Sequence, residues 1–472
     1  MLGTGPRQGP GVAMARTGRA GEGEGRTGGA WAAVAVHVLF VSGVGLSMTF
    51  VNVYLWRHGG GLGVVLTYHI ALFLSLIPGG ALGGYLIGRR NRVAALRLGV
   101  AAHSAFFLAV LVLGRGAPSW VWPLGILIGA GMGFYYVALS VMILDLSPGG
   151  RAGPLVGAID RARLAAMTIT PFAAAFAIDR LTPDRGYPAV FAASAALFLA
   201  AALYSGRLAG RTDGRPLALG STLVRPRPRW RRFLVAQCLR GVRDGVFLFL
   251  AAILVFERVQ SELILGVFAL GGGTVSWLVT LHVARHVEAR EQRLRYMGVG
   301  VALSVAAAAS LAVLPGLGGV APFGLLEALA VPLVAVPFSA ESYAVVAEDP
   351  EGERRGVGYM VAREVPLNLG RLAGVALLFV IVEALGRARD LGLALVALSV
   401  MNVVAWRVLA GLLPVGRPGL LASLVRRPPR TTIGAGAAAG RRASGGNGTA
   451  ATAGRGWPQR PGRRAGTRPG RR

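Results

Sequence analysis

The sequence predicts an all-α polytopic membrane protein with twelve transmembrane helices in two parallel six-helix repeats. Three observations lead there. A soluble domain carries about a quarter charged residues, whereas this chain is 15% charged and 54% apolar over 472 residues. Apolar runs of about 20 residues, long enough to cross a bilayer, recur along it. The second half of the chain also repeats the first at a fixed offset.

The spans begin near Ala30, Leu62, Val93, Trp120, Gly157, Ala189, Phe233, Leu263, Tyr296, Phe323, Val357 and Leu391, and the last ends near Leu412. The first run is too long for a signal-peptide core and follows a Gly/Arg-rich lead, so no cleavable signal is expected. Five domains follow: a disordered cytoplasmic lead, 1–29; a six-helix bundle, 30–206; a basic linker, 207–231; a second six-helix bundle, 232–412; and a disordered Arg/Gly-rich tail, 413–472. Met14 is an alternative start within the lead.

Arginine sets the expected orientation. The net charge is +29 and there is no lysine. The lead and the even-numbered connections hold 22 arginines, eight of them in "SGRLAGRTDGRPLALGSTLVRPRPRWRR". The odd-numbered connections hold seven: Arg57, Arg115, Arg180, Arg185, Arg258, Arg387 and Arg389. Positive charge marks the cytoplasmic side. Both termini are therefore expected in the cytoplasm, with Trp56, Trp120 and Trp122 at the outer interface and Trp31 and Trp230 at the inner one. Basic loops and tail are expected to attract anionic lipid rather than a specific nucleic acid.

Adding 202 to a start in the first half gives a start in the second: Ala30 maps near Phe233, Leu62 near Leu263, Trp120 near Phe323 and Ala189 near Leu391. Pro148 and Pro350, in the fourth and tenth connections, share that offset, and so do Arg161 and Arg363. Halves with an even helix count have the same orientation, so they are parallel repeats about an axis along the membrane normal. Such a pair predicts alternating access around a site at the interface.

These features resemble the major facilitator superfamily over roughly 30–412. "GGYLIGRRNRVAALRLG" (Gly83–Gly99) is similar to the loop between helices two and three in that family, with Gly88 where the family carries an acid. "GFYYVALSVMILDL", "RDGVFLFLAAILVFERVQSELILG" and "AREVPLNLGR" resemble more specifically the YqgE-type uncharacterised transporters of Gram-positive bacteria. The resemblance implies a monomeric secondary transporter of a small molecule in the bacterial cytoplasmic membrane, and names no substrate. The fourth helix lacks the Arg of many proton-coupled members, and Pro171 stands without the Gly-Pro-x-x-Gly-Gly run of drug–proton antiporters.

The candidate site is a set of charges inside apolar runs. A mid-bilayer charge costs about 2.5–3.5 kcal/mol on insertion scales, so such groups face the interior, pair, or line water. "QCLRGVRDGVFLFLAAILVF" carries Arg240, Arg243 and Asp244, with Arg240 and Asp244 four apart on one helical face. Glu364, Asn368 and Arg371 form a polar stripe in the eleventh helix. Counting about 1.5 Å per residue, Arg240, Glu341, Arg363 and Glu364 fall at similar depth, roughly 10 Å from the cytoplasmic face. Two readings stay open. The charges are an ion-pair network that fixes packing or gates the cytoplasmic end, or some of them meet substrate and proton. In the second, Arg240 and Arg371 bind an anionic group and Asp244 or Glu364 is the protonatable one. Arg89, Arg90, Asp145, Arg151, Asp160, Arg161, Arg243, Glu341 and Arg363 are candidates for the gate or network.

Remaining signals read as packing. His37, Asn52, His69 and His103 are expected in helix–helix hydrogen bonds. Gly125, Gly129 and Gly133 suit close helix contact. Cys238 is a small packing residue. "HVARH" pairs His282 with His286 but offers no third metal ligand. No nucleophile–base constellation, phosphate loop or cofactor motif is found. The alternative to transport is a non-transporting sensor or lipid-handling scaffold on the same fold.

Overall fold

The computed structural model describes residues 11–146, 153–208, 222–223, 226–349, 352–385 and 391–411. The helices run Gly11–His58, Leu62–Arg89, Arg92–Leu113, Val121–Leu146, Gly153–Leu181 and Pro183–Tyr204 in the first half. The second half holds a seventh in two pieces, Pro228–Phe247 and Leu250–Val259, then Glu262–Ala284, Arg290–Val313, Gly316–Ala347, Gly352–Leu385 and Leu391–Ala410. Among the described residues, ten stretches are long and apolar enough to cross a membrane. One of them, Arg92–Ile143, is 52 residues long. At about 1.5 Å per residue that is more than twice a bilayer core, and a 3-10 turn at Gly114–Trp120 divides it into the third and fourth helices. The divided seventh helix accounts for the difference from twelve.

The first apolar span, Gly28–His58, begins close to the expected Ala30, and its helix extends back to Gly11. The tail and most of the linker lie outside the described residues. One expectation is corrected: the seventh span is not continuous. The Leu248 N–H donates to the Asp244 carbonyl at 3.1 Å, but the Phe249 N–H reaches back only to the Val246 carbonyl, at 3.3 Å. The ladder tightens to a three-residue step and restarts at Leu250. Gly241 and Gly245, poor helix formers, lie just before the break.

The repeat is visible in the packing. The first helix packs on the fifth and sixth, the second on the fourth, and the third on the fourth and sixth. Shifted by six, the seventh packs on the eleventh and twelfth, the eighth on the tenth, and the ninth on the tenth and twelfth. Small residues permit the closest crossings. A methyl carbon at Gly129 would come within 2.1 Å of the Leu72 carbonyl oxygen, and one at Gly133 within 2.4 Å of the Gly80 nitrogen. In the second half, carbons added at Gly370 and Gly374 would lie 2.0 Å from the carbonyl oxygens of Cys238 and Val242. Cys238 is thus at the seventh–eleventh crossing.

The halves meet through the second and eleventh helices and the fifth and eighth. Call the end bearing Gly11 and Ala410 the terminal end, and its opposite the far end. At the far end Arg57 pairs with Glu262 at 2.8 Å, and the Tyr187 hydroxyl donates to the same carboxylate at 3.2 Å. His69 stacks on Phe249 at 4.0 Å and Trp56 meets Phe256 edge-on at 6.1 Å. Gly266 abuts Ala175, Gly273 abuts Thr168 and Gly63 faces Glu383. Each of these contacts falls within about 21 Å of the far helix ends. One apolar core joins both halves there, and a separate cluster around Trp230, Phe233, Phe338 and Tyr359 serves the terminal end of the second half.

Candidate functional site

The seventh and eleventh helices bring their charges together because their glycines let the backbones touch. Carbons built on Gly241 and Gly245 would meet the Leu367 carbonyl oxygen at 2.3 Å and the Arg371 Cα at 2.6 Å. Around this crossing the charges sort into three groups.

The first is inside the second half. Arg243 donates to Glu327 of the tenth helix, and its Nη1 lies 3.6 Å from Asp244 Oδ1. The Ser304 hydroxyl donates to the other Glu327 oxygen at 3.3 Å, and the Phe247 ring lies 3.7 Å from the Arg243 guanidinium carbon. The Arg243 side chain is only 6% exposed. Asp244 is shared with Arg240, whose Nε is 3.0 Å from Oδ2. Arg240 also lies 5.1 Å from the Phe338 ring.

The second group is at the terminal end. Glu341 is buried and accepts from Arg229 at 3.0 Å, Arg290 at 3.3 Å and Arg293 at 3.0 Å. Arg229 also pairs with Glu348, and Arg227 with Asp349 at 3.0 Å. These bonds tie the start of the seventh helix to the ninth and tenth. Equal depth would put Glu341 beside Arg240 and Arg363. It pairs with neither; Arg363 instead donates to the adjacent Ser342 hydroxyl at 3.1 Å and to Glu364 at 3.2 Å. Depth alone does not say around which side of a helix a residue points.

The third group faces the first half. Asn368 Nδ2 donates to the Glu364 carbonyl at 2.8 Å, and Arg371 Nη1 donates to Asn368 Oδ1 at 3.0 Å. The Arg371 guanidinium carbon is 5.9 Å from the Phe73 ring of the second helix. Arg371, Glu364 and Arg163 all lie in electrostatic range of the fourth helix's Tyr136 hydroxyl. Tyr136 is 41% exposed, and the Glu364 side chain equally so. Charged groups within a span avoid lipid, so the exposure of Glu364 fits a polar space between the halves. Arg163 is also nearly half exposed, with Asp160 3.6 Å away. Nearby, His37 shares a 2.9 Å hydrogen bond with the buried Tyr135 hydroxyl.

The gate candidates of the first half are scattered. Arg89 is exposed and lies over Tyr85 at 5.0 Å, Arg90 is exposed at the helix cap, and Arg161 covers Gly157. The Asp145 side chain and Arg151 lie outside the described residues. Of the isolated polar groups, His37 bonds between helices, whereas His69 and His103 bond carbonyls of their own helices, Val65 and Gly99. Glu327, Arg229, Arg290 and Arg293 were not singled out by sequence. Glu327 had a signal: it is the lone charge of "FGLLEALAVPLVAVPF", fourteen residues and nearly four turns before Glu341.

The fold is that of the major facilitator superfamily. The nucleoside transporter NupG superposes with a TM-score of 0.61 at 13% identity, covering 81% of this chain and 98% of that one. The D-xylose-proton symporter gives 0.57 at 14%, covering 83% and 96%, and the Escherichia coli fucose:proton symporter FucP gives 0.54 at 14%, covering 80% and 98%. In sequence, the uncharacterised protein YqgE of Bacillus subtilis is 29% identical over 367 residues, 77% of this chain and 84% of YqgE. An uncharacterised Geobacillus stearothermophilus protein from the sodM 3' region is 34% identical over 158 residues, 34% of this chain and 74% of its own length. The chain belongs to the same family as these bacterial proteins and resembles YqgE. No family model matches it.

Proposed function

We propose that this chain is a secondary active transporter that moves a small solute across the bacterial cytoplasmic membrane by alternating access. One observation carries the reading: the halves are joined from mid-membrane to the far end, while the polar side chains of Tyr136, Arg163 and Glu364 remain nearly half exposed within or beside the apolar spans. A central site closed on one side is what rocking of two parallel repeats requires. With the arginine-rich connections in the cytoplasm, the far end is the outer face and 30–206 and 232–412 are the moving bodies.

The coupling ion in this reading is a proton, held by Glu364 or Asp244. Each carboxylate has an arginine beside it, at 3.2 Å and 3.0 Å. Exchange of these partners during rocking couples charge to motion. Two of the fold relatives are proton symporters. The test is uptake by proteoliposomes with and without a pH gradient. Glu364→Gln or Asp244→Asn should abolish gradient-driven accumulation while leaving folded protein; if both variants accumulate solute normally, the coupling assignment fails.

A further inference from the structure

Around the crossing of the seventh and eleventh helices the charges do not cancel. Arg240, Arg243, Arg363 and Arg371 face Asp244, Glu327 and Glu364, four arginines against three acids. Asp244 takes Arg240 and Arg243, Glu327 takes Arg243, and Glu364 takes Arg363. Glu341 is saturated by Arg229, Arg290 and Arg293. Arg371 is the one left over. Among the described residues it has no carboxylate partner, and its polar contact is the neutral Asn368 amide at 3.0 Å. Its Nε is buried with no hydrogen-bond partner among those residues.

A guanidinium about 21 Å from the far end of its helix is near mid-membrane, where an uncompensated charge is costly. It presents several donors in a planar fork and stays charged. Its surroundings are aromatic: Phe73 lies 5.9 Å away and the Tyr136 hydroxyl is in range. Arg163, whose nearest carboxylate is 3.6 Å off, adds a second positive charge in electrostatic range of that hydroxyl.

We infer that the transported solute is a small organic anion, its carboxylate or phosphate group held by Arg371, with Asn368 positioning the guanidinium. The inference rests on the central space being a transport site. It narrows the candidate anion binders from two to one, because Arg240 is already occupied by Asp244. Neutral solutes would leave the Arg371 charge uncompensated and cations would meet net repulsion.

The experiment uses the purified full chain and matched probes: acetate against acetamide, benzoate against benzamide, glycerol 3-phosphate against glycerol, and inorganic phosphate alone. Thermal unfolding and equilibrium binding should respond to at least one anion and not to its neutral counterpart; the responding probe separates carboxylate from phosphate. Charge-assisted bidentate bonds are the strong ones, so Arg371→Gln should weaken that binding about ten-fold or more. Arg371→Lys should retain part of it, and Arg115→Gln, an exposed far-end control, should change nothing. Should Arg371→Gln not fold, Arg371→Lys supplies the comparison. Binding of neutral probes as tight as of anions, no anion binding at all, or anion binding unchanged in folded Arg371 variants would each overturn the inference. Flux in liposomes separates the two claims. Anions bound through Arg371 but never moved would sink the transport reading alone. A neutral solute moved normally by Arg371→Gln would sink the anion assignment alone.

Discussion

At the scale of single residues, burial decides which charges hold the fold. Arg243 and Glu327 are inside the second bundle, and removing one member of a buried pair costs about 3–5 kcal/mol because the other is left uncompensated. Asp244, 3.6 Å from Arg243, softens that loss. Glu327→Ala should therefore destabilise the protein by roughly 3 kcal/mol, read as lowered thermal stability in detergent. The exposed pair Arg115–Asp184, at 2.9 Å, contributes about 0–1 kcal/mol, so Asp184→Ala should leave the melting temperature nearly unchanged. Equal losses in the two variants would contradict the distinction. Arg243 and Glu341 were legible as charges in apolar runs, but their pairing was not. The three arginines on Glu341 come from segments up to 112 residues away, and only the folded crossing of the seventh, ninth and tenth helices assembles them.

Between elements, close backbone approach decides the geometry. The seventh and eleventh helices touch at Gly370 and Gly374, where any side chain meets a carbonyl oxygen at 2.0 Å. Gly374→Val should abolish monodisperse protein, whereas Gly271→Val, with nothing within 4 Å of the added carbon, should express normally. Size-exclusion profiles would separate them, and a well-behaved Gly374→Val would show that the helices can part without loss. Most spans were legible because their runs are long and apolar, and the glycines of the fourth helix pointed to close helix contact, which the fold places against the second helix. The break at Leu248–Phe249 was not legible: no proline marks it, and the surrounding residues are apolar. It arises where the charged turn of Arg240–Asp244 ends and Phe249 is drawn onto His69 of the other half, a tertiary contact that local propensity does not encode. The same contact, with Arg57–Glu262–Tyr187, makes the far-end clasp. Glu262→Gln removes the charge that both Arg57 and Tyr187 meet, so it should loosen that end and raise the reactivity there of a cysteine introduced in place of Gly63.

At the scale of the whole molecule, the 202-residue offset pointed to two six-helix repeats, and the helix contacts of the second half follow those of the first. What the offset could not foretell is which end is closed, since that depends on contacts between halves that carry no sequence signal of their own. The central claim is that the closed far end and the open centre are one of two states exchanged by rocking. Distances between spin labels test it most directly. In a Cys238→Ser background, one labelled pair at Gly63 and Glu383 reports the far end and another at Gly88 and Arg285 reports the terminal end. The account predicts two populations at each pair, shifting in opposite directions when a transported solute is added: the far-end distance lengthens as the terminal-end distance shortens. A single unchanging distance at both pairs, with the protein folded and the solute bound, would contradict it.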